Sequence, residues 1–138
     1  MNDAEIDRVL SYAYQGRYTN LVLSLLYPDR DWKDAVFHED HIFPQSEFQV
    51  RALKKRGYDD QKIQNYLSGY NTLYNLQLLT ESENLSKNAT PFDEWIQTRD
   101  KGFRRRHLIP DLRNYGFEYF EEFAKARTNL IVAALKRL

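Results

Sequence analysis

The stretch NLQLLTESE, residues 75–83, joins an apolar strand pattern directly to a helix start, with no loop between them. Its first five residues form a short, leucine-rich run, which predicts a strand over 75–79. Thr80 and Glu83 occupy the two positions of a capping box, in which each side chain bonds the other residue's backbone N–H at a helix N-terminus. A helix is therefore predicted to begin after Thr80 and to end before Pro91. Any fold of this chain must place a strand end beside the first turn of a helix.

A second strand is predicted over residues 35–43, and Pro44 ends it because proline cannot donate to a strand ladder. The apolar spacing elsewhere is helical, and it predicts helices over residues 3–15, 20–26, 47–56, 61–67, 92–99 and 116–138. Gly16 and Gly57 stand where two of these helices would end, and Asp60 stands at an N-cap. The sequence thus predicts a mainly α fold that encloses a short two-stranded antiparallel sheet, in one domain of residues 1–138.

Three of the predicted helices carry apolar faces that should be buried. In the first helix the face consists of Ile6, Val9, Leu10 and Ala13. In the helix over 92–99 it consists of Trp95 and Ile96. In the last helix it includes Phe120, Phe123, Leu130, Ala134 and Leu135.

Composition restricts the compartment and the partners. The chain has no cysteine, which excludes disulfides and thiolate zinc sites and suits a reducing cytoplasm. Its acidic N-terminus lacks the apolar segment of a secretory signal, and no apolar run is long enough to span a membrane. Twenty basic and twenty acidic residues cancel, which argues against strong autonomous DNA binding except at a local basic cluster. Residues 54–56 form one such cluster. The other contains three arginines that either bind substrate phosphates or cover an acidic neighbouring domain: Arg104, Arg105 and Arg106.

Five polar side chains of the types used in phosphodiester hydrolysis fall at the predicted strand ends and on the helix that follows. Asp40 and His41 lie near the end of the first strand and Asn75 opens the second. Asn84 and Lys87 are three residues apart and so share one helix face. Carboxylate and amide oxygens suit Mg²⁺, a neutral histidine can take a proton from water, and a lysine can hold a phosphate oxygen. Together these groups predict metal-assisted phosphodiester hydrolysis.

The local geometry around the first strand end sets two limits. Adjacent residues of a regular strand point to opposite faces, so Asp40 and His41 cannot both face one site from an ideal strand. Pro44 close behind them predicts an irregular backbone that would bring both side chains round. His38 and Glu39 do not make a zincin motif, because HEDH is one residue short of H-E-x-x-H and a helix there would run into Pro44. We interpret His38 as a strand residue with local contacts, or as a support for the site.

The motifs DHIFPQS, NLQLL and ENLSKN resemble the His-Asn-His (HNH, ββα-metal) endonuclease motif, in the form whose last member is asparagine. LLYPDRDW, YNTLYNLQLLTESENLSKN, PFDEWI, HLIP and the C-terminal FEEFAKARTNLIVAALKRL extend the resemblance over nearly the whole chain. They are similar to the C-terminal nuclease half of GmrSD-type, modification-dependent restriction proteins. The resemblance implies a ββα-metal core, DNA as the substrate, Mg²⁺ as the cofactor with Mn²⁺ as a substitute, and a role in anti-phage restriction.

By the same resemblance, Asp40 and Asn84 would be the metal ligands and His41 the general base. Asn75 would brace the loop that holds His41, and Lys87 would lie near the scissile phosphate. Asn84 stands where the motif usually has its final histidine, which makes the site harder and more suited to Mg²⁺. Four of these residues also have an ordinary interpretation: His41 as a structural histidine, Asn75 as a turn residue, Asn84 as an exposed helix residue and Lys87 as a surface charge.

The N-terminal half of the family, which senses DNA and hydrolyses nucleotide, has no counterpart in this sequence. The five glycines are isolated, so no glycine-rich phosphate loop occurs. We therefore expect an excised C-terminal domain whose partner is that sensor half. Two other functions stay open: a catalytically weak HNH-like domain that docks on a sensor protein, and an RNA-cleaving HNH toxin.

Overall fold

The computed structural model describes residues 1–30 and 36–138 and shows a mainly α fold with a short two-stranded antiparallel sheet. The helices are α1 (Asp3–Leu10), α2 (Thr19–Ser24), α3 (Val50–Lys55), α4 (Asp60–Gly69), α5 (Glu81–Lys87), α6 (Phe92–Gln97), α7 (Lys101–Arg106) and α8 (Phe120–Lys136). Short 3₁₀ turns lie at Gln45–Phe48, Leu73–Asn75 and Phe117–Tyr119. None of the helices in the described ranges is long and apolar enough to cross a membrane.

The sheet consists of β1 (Phe37–His41) and β2 (Leu76–Thr80), which pair antiparallel with Phe37 opposite Thr80 and His41 opposite Leu76. The predicted strand pair is therefore confirmed, with shorter strands. Asn75 belongs to the preceding 3₁₀ turn rather than to β2. Ala35, the predicted start of the first strand, and the last two residues of LLYPDRDW lie outside the described residues.

The capping box at the start of α5 is confirmed. The Thr80 hydroxyl accepts from Glu83 N at 3.2 Å, and a Glu83 carboxylate oxygen accepts from Thr80 N at 2.9 Å. These bonds satisfy backbone donors that a helix N-terminus otherwise leaves unpaired. Because the cap residue is also the last residue of β2, α5 starts with no intervening loop.

Two apolar cores lie on the two faces of the sheet. The first is rich in aromatic rings and takes Leu79 from β2; the ring of Phe43 lies 4.9 to 5.1 Å from three others, those of Phe92, Phe120 and Phe123. The second is mainly aliphatic and takes Leu76 and Leu78 from the opposite face of β2, with Ile6, Leu23, Ile131 and Leu135. Because residues alternate faces along a strand, β2 contributes to both cores. Trp95 and Ile96 of α6 are buried, as predicted.

The prediction of a first helix over 3–15 is wrong beyond Leu10, where α1 ends. Tyr14 N donates to Asn71 O at 2.8 Å, and Ala13 forms an isolated bridge with Thr72. These contacts join positions far apart in the sequence, so the helical spacing of residues 3–15 contains no sign of them. They hold residues 13–14 against the turn that precedes β2.

The last helix begins at Phe120, four residues later than predicted, because a 3₁₀ turn occupies Phe117–Tyr119. One of its predicted core residues is also wrong, since Leu130 is 37% exposed, whereas Ala134 is half-buried and packs against the second core. Arg127 and Ile131 take the buried positions instead. The buried face therefore contains a cation that apolar periodicity could not identify.

The remaining differences concern helix ends. The segment 47–56 divides into the 3₁₀ turn Gln45–Phe48 and α3, while Gly57, with φ of 86°, ends α3 as predicted. The N-cap of α4 is Asp59 rather than Asp60, since its carboxylate accepts from Lys62 N at 2.8 Å. Helix α7 was not predicted; Asp100 caps it by accepting from Phe103 N at 2.8 Å.

Candidate active site

A cleft of about 510 Å³ lies along β1 and brings together several of the predicted site residues. Glu39, Asp40 and His41 of β1 line it, with Asn84 of α5 on another wall. Within the described residues β1 pairs only with β2, so its other edge is unpaired.

This arrangement corrects the expectation of an irregular backbone at Asp40 and His41. Both residues belong to regular β1, and they face Gln77 and Leu76 of β2 across the ladder. The strand ends only after His41. Asp40 and His41 therefore both line the cleft from a regular strand, without a distortion before Pro44.

Asp40 is a nearly buried carboxylate with one oxygen engaged. Its side chain is 10% exposed, and Oδ2 accepts from Gln77 Nε2 at 2.9 Å and lies 3.2 Å from Lys87 Nζ. Burial raises the pKa of Asp40, and the Lys87 charge and the two hydrogen bonds oppose that shift. Oδ1 has no hydrogen-bond partner among the described residues. It is the oxygen left for a ligand.

Asn84 supplies the second candidate oxygen. It lies in the interior of α5, lines the same cleft as Asp40 and is half-buried. Its side-chain amide makes no hydrogen bond within residues 1–30 and 36–138. A carboxamide that is placed in a cleft and held by no protein partner is free to meet a ligand.

His41 is held by contacts on its inner side. Its Nε2 lies 2.7 Å from Asn71 Oδ1, and its ring centroid lies 4.4 Å from that of Tyr14. With the Asn71 amide oxygen as acceptor, Nε2 carries the proton and Nδ1 keeps its lone pair. Burial lowers the pKa of His41, while the Asn71 bond and the Asp40 charge oppose that shift. The imidazole is thus neutral at pH 7, as a general base must be.

Asn75 does not line the cleft; it is completely buried behind it. Its Oδ1 accepts from Phe43 N at 2.9 Å, and its Nδ2 donates to Phe43 O at 3.1 Å and to Tyr70 O at 3.0 Å. Its own carbonyl accepts from Ile42 N at 2.8 Å. These bonds fix the two residues that follow His41, which is the geometry that a bracing role requires.

Lys87 is completely buried, although the sequence suggested a contact with the scissile phosphate. Its Nζ donates to the His41 carbonyl at 2.9 Å and lies 3.2 Å from Asp40 Oδ2. This arrangement gives no support to direct phosphate binding, because the ammonium group does not reach the surface of the cleft. Instead, Lys87 ties the end of β1 to α5.

The three arginines proposed as substrate contacts lie on α7, and none of them lines the cleft. Arg104 is half-buried; its Nη2 donates to Ile96 O at 3.0 Å, and its guanidinium lies 5.6 Å from the ring centroid of Tyr115. Arg105 and Arg106 are exposed. The sequence run therefore divides into one packed arginine and two that face solvent.

Sequence reasoning missed Gln77 and Asn71. Gln77 is opposite Asp40 in the ladder and bonds it, and it is the one polar residue between leucines in NLQLL, which is a signal that could have identified it. Asn71 bonds His41 from a turn thirty residues away, and no local pattern indicates this contact. His38, opposite Leu79 on β1, does not line the cleft.

The donor set fits a hard divalent ion better than a transition metal. Within the described ranges, no group of three or more histidine, cysteine, aspartate or glutamate side chains is arranged to hold a metal. Asp40 Oδ1 and the Asn84 amide oxygen instead lie in the same cleft, each without a hydrogen-bond partner among residues 1–30 and 36–138. Mg²⁺ is commonly bound by one or two protein oxygens together with waters and substrate phosphates.

No protein-family model matches the sequence, and no curated protein matches it significantly. The resemblance to HNH nucleases therefore rests on the sequence motifs alone.

Proposed function

We propose that the chain is a divalent-metal-dependent endonuclease that hydrolyses DNA phosphodiester bonds. The observation that carries the proposal is one cleft lined by Asp40, His41 and Asn84. Within the described residues, one oxygen of Asp40 and the Asn84 amide have no hydrogen-bond partner, and the His41 imidazole is neutral. A proton acceptor and two hard ligand atoms in one cleft are what metal-assisted hydrolysis of a phosphodiester needs.

In this proposal His41 takes the proton of the attacking water at Nδ1. Asn71 keeps the ring in the required tautomer by accepting from Nε2–H, and the Tyr14 ring limits rotation of the imidazole. Asn75 fixes the backbone just after His41, and Lys87 fixes the His41 carbonyl. The base is thus held by contacts from three other segments of the chain, which is the preorganisation that general-base catalysis requires.

Asp40 Oδ1 and the Asn84 amide oxygen would hold the divalent ion. When bound, the ion would supply Lewis-acid stabilisation of charge on the phosphate oxygens. Gln77 and Lys87 hold Asp40 Oδ2 and so leave Oδ1 for this role.

DNA as the substrate and restriction of phage DNA as the biological role come from the resemblance to GmrSD-type nuclease halves. On that basis we propose an N-terminal sensor half as the partner and the cytoplasm as the compartment.

One observation favours a second candidate function, a catalytically weak domain that docks on a sensor protein. The Lys87 ammonium lies 3.2 Å from Asp40 and already neutralises that carboxylate. A nearby cation weakens the attraction between the carboxylate and a metal ion. A domain with this ion pair could keep the HNH shape and bind metal poorly.

The test is nicking of supercoiled plasmid by the purified chain with Mg²⁺ or Mn²⁺, alongside His41→Ala. We expect cleavage by the wild type and a loss of about 10²–10⁴-fold in the variant, because a positioned general base contributes that much. His38→Ala, on the same strand but outside the cleft, is the matched control and should cleave normally. An inert wild type would favour the docking domain, and cleavage of single-stranded RNA but not DNA would identify a toxin. Undiminished cleavage by His41→Ala would remove His41 as the base.

A further inference from the structure

A second cavity, of about 620 Å³, is lined by four arginines from three separate parts of the chain. Arg30 follows α2, Arg105 and Arg106 lie in α7, and Arg137 follows α8. None of the residues that line this cavity also lines the cleft at β1. The arginines of α7 and the two chain segments packed beside it therefore form a separate basic site.

The positive charge of this cavity is not neutralised within the described part of the chain. None of the four arginines forms an ion pair there, although Asp29 and the C-terminal Leu138 also line the cavity. Burial lowers the pKa of Arg30; Tyr27 and the Glu83 charge oppose that shift, and the charge of Arg106 adds to it. Arginines that are held close together repel one another, and a bound anion would offset that repulsion.

Arg30 is fixed in place before any ligand binds. Its Nη1 donates to Leu78 O at 3.0 Å, and its guanidinium lies 4.5 Å from the ring centroid of Phe37 and 4.9 Å from that of Tyr27. A guanidinium has five N–H donors in a planar fork, so the bond to Leu78 leaves others for a ligand. One fixed fork with three exposed arginines around it suits an anion that several donors can share.

Phosphate is the anion that this arrangement fits best. Its oxygens accept hydrogen bonds in several directions, and arginine forks bind them in bidentate pairs. Arg104 belongs to a different surface, since its guanidinium is packed on Tyr115 and bonded to Ile96 O.

We propose that the cavity lined by Arg30, Arg105, Arg106 and Arg137 binds phosphate groups of a nucleic-acid backbone. The choice of nucleic acid as the source of the phosphate rests on the proposed nuclease function, whereas the phosphate site itself does not. The duplex would then have a second point of contact with the protein, separate from the β1 cleft. Contacts of this kind position the duplex and carry no sequence information.

The test measures binding of a fluorescein-labelled DNA duplex by anisotropy, in EDTA, over a series of salt concentrations. The variant is Arg106→Ala with Arg137→Ala, at two exposed residues. The matched control is Lys62→Ala with Lys125→Ala, which removes two positive charges from α4 and α8 at residues that line neither the β1 cleft nor this cavity. Each lost phosphate contact should make the plot of log affinity against log salt shallower by about 1. We expect weaker binding and a slope reduced by about 2 in the arginine variant, with little change in the lysine variant.

Equal losses in the two variants would show a general charge effect and overturn the proposal, as would no loss in either. A second titration, of ¹⁵N-labelled protein with inorganic phosphate, should shift the Gly102 and Leu108 amides in the wild type and not in the arginine variant. Phosphate shifts without any effect of the arginines on DNA binding would overturn nucleic acid as the source and indicate a small phosphorylated ligand. EDTA prevents metal-dependent cleavage, so the binding assay does not depend on nuclease activity. DNA binding that needs the arginines, together with no plasmid nicking in Mg²⁺, would reject the proposed nuclease function and support this phosphate site.

Discussion

The surroundings of the β1 cleft and the interior beneath α8 each include a histidine and a fully buried cation, Lys87 in the first region and Arg127 in the second. The two cations have different partners. Lys87 pairs with a carboxylate, Asp40. Arg127 has no carboxylate partner within the described residues and donates only to backbone carbonyls, those of Leu73, Tyr74, Leu76 and His107. The first cation neutralises a carboxylate that lines the cleft. The second fixes the chain segment that leads into β2.

The two histidines also differ in their surroundings: His107 is enclosed, and His41 lines the cleft. His107 is 1% exposed, and burial, followed by the charges of Arg30, Arg127 and Arg106, lowers its pKa to about 2. It therefore stays neutral at every ordinary pH. His41 borders an open cleft, and both its Asn71 bond and the Asp40 charge favour the protonated form. A buried cation that bonds only backbone carbonyls, as Arg127 does, fixes the structure of the chain around it. A buried cation that pairs with a carboxylate lining a cleft, as Lys87 does, also opposes the rise in the pKa of that carboxylate.

Of the variants in this comparison, Asn84→Ala should give the largest effect, because the proposed metal site depends on the Asn84 amide. Asn84→Ala removes one of two protein ligands and should lower plasmid nicking in Mg²⁺ by about 100-fold or more, since even partners behind the ligands are worth 10–100-fold. Asn84→Asp should give partial activity. Asn84→His should shift the preference toward Ni²⁺, Co²⁺ or Zn²⁺. Ser86→Ala, an exposed position on the same helix, should cleave as the wild type does. Full Mg²⁺ activity in Asn84→Ala would reject the ligand assignment.

Arg127 should affect stability and not chemistry. Arg127→Met leaves four carbonyls without their buried donor, so we expect a loss of about 3 kcal/mol in the free energy of unfolding, measured by urea denaturation. Lys125→Met removes an exposed cation from the same helix and should change that free energy by less than about 0.5 kcal/mol. A loss below about 1 kcal/mol in Arg127→Met would mean that these bonds do not hold the segment before β2.

The pH dependence of cleavage should give the smallest effect and should separate the two histidines. His41 acts as a base only when it is neutral, and burial holds its pKa below the ordinary value of 6.5. The midpoint of the decline in rate at acid pH should therefore lie below pH 6.5. Asn71→Asp places a carboxylate on Nε2, which favours the imidazolium and should move the decline to higher pH. His38→Asn should leave the decline where it is, and a decline centred above pH 6.5 in the wild type would contradict the assignment.

The parts of the fold that sequence predicted are those with local causes. The capping box at Thr80 and Glu83 is confirmed because its partners are three residues apart. The strand pair is confirmed because its apolar and polar runs are bounded by Pro44 and Thr80. The end of α1 was missed because the contacts that stop it are with Asn71 and Thr72, which are distant in sequence.

The site divides along the same line. Asp40, His41 and Asn84 do meet in one cleft, as their strand and helix positions predicted. The burial of Lys87 could not be predicted. Its position on the helix shows which face it lies on, but not that the Asp40 carboxylate would pair with it in the interior. The sequence NLQLL marks Gln77 as a polar residue between leucines, but its pairing with Asp40 needs the register of the ladder, and the Asn71 contact needs the tertiary structure.

The most direct measurement is an NMR titration of the ¹⁵N-labelled chain with Mn²⁺, whose unpaired electrons broaden the signals of nearby nuclei. At substoichiometric Mn²⁺ the amides of Asp40, His41 and Asn84 should broaden first in the wild type and in His41→Ala. In Asn84→Ala the broadening at this cleft should be lost. Broadening elsewhere in the chain, or equal broadening of the cleft amides in Asn84→Ala, would contradict a metal site formed by Asp40 and Asn84 in the cleft at β1.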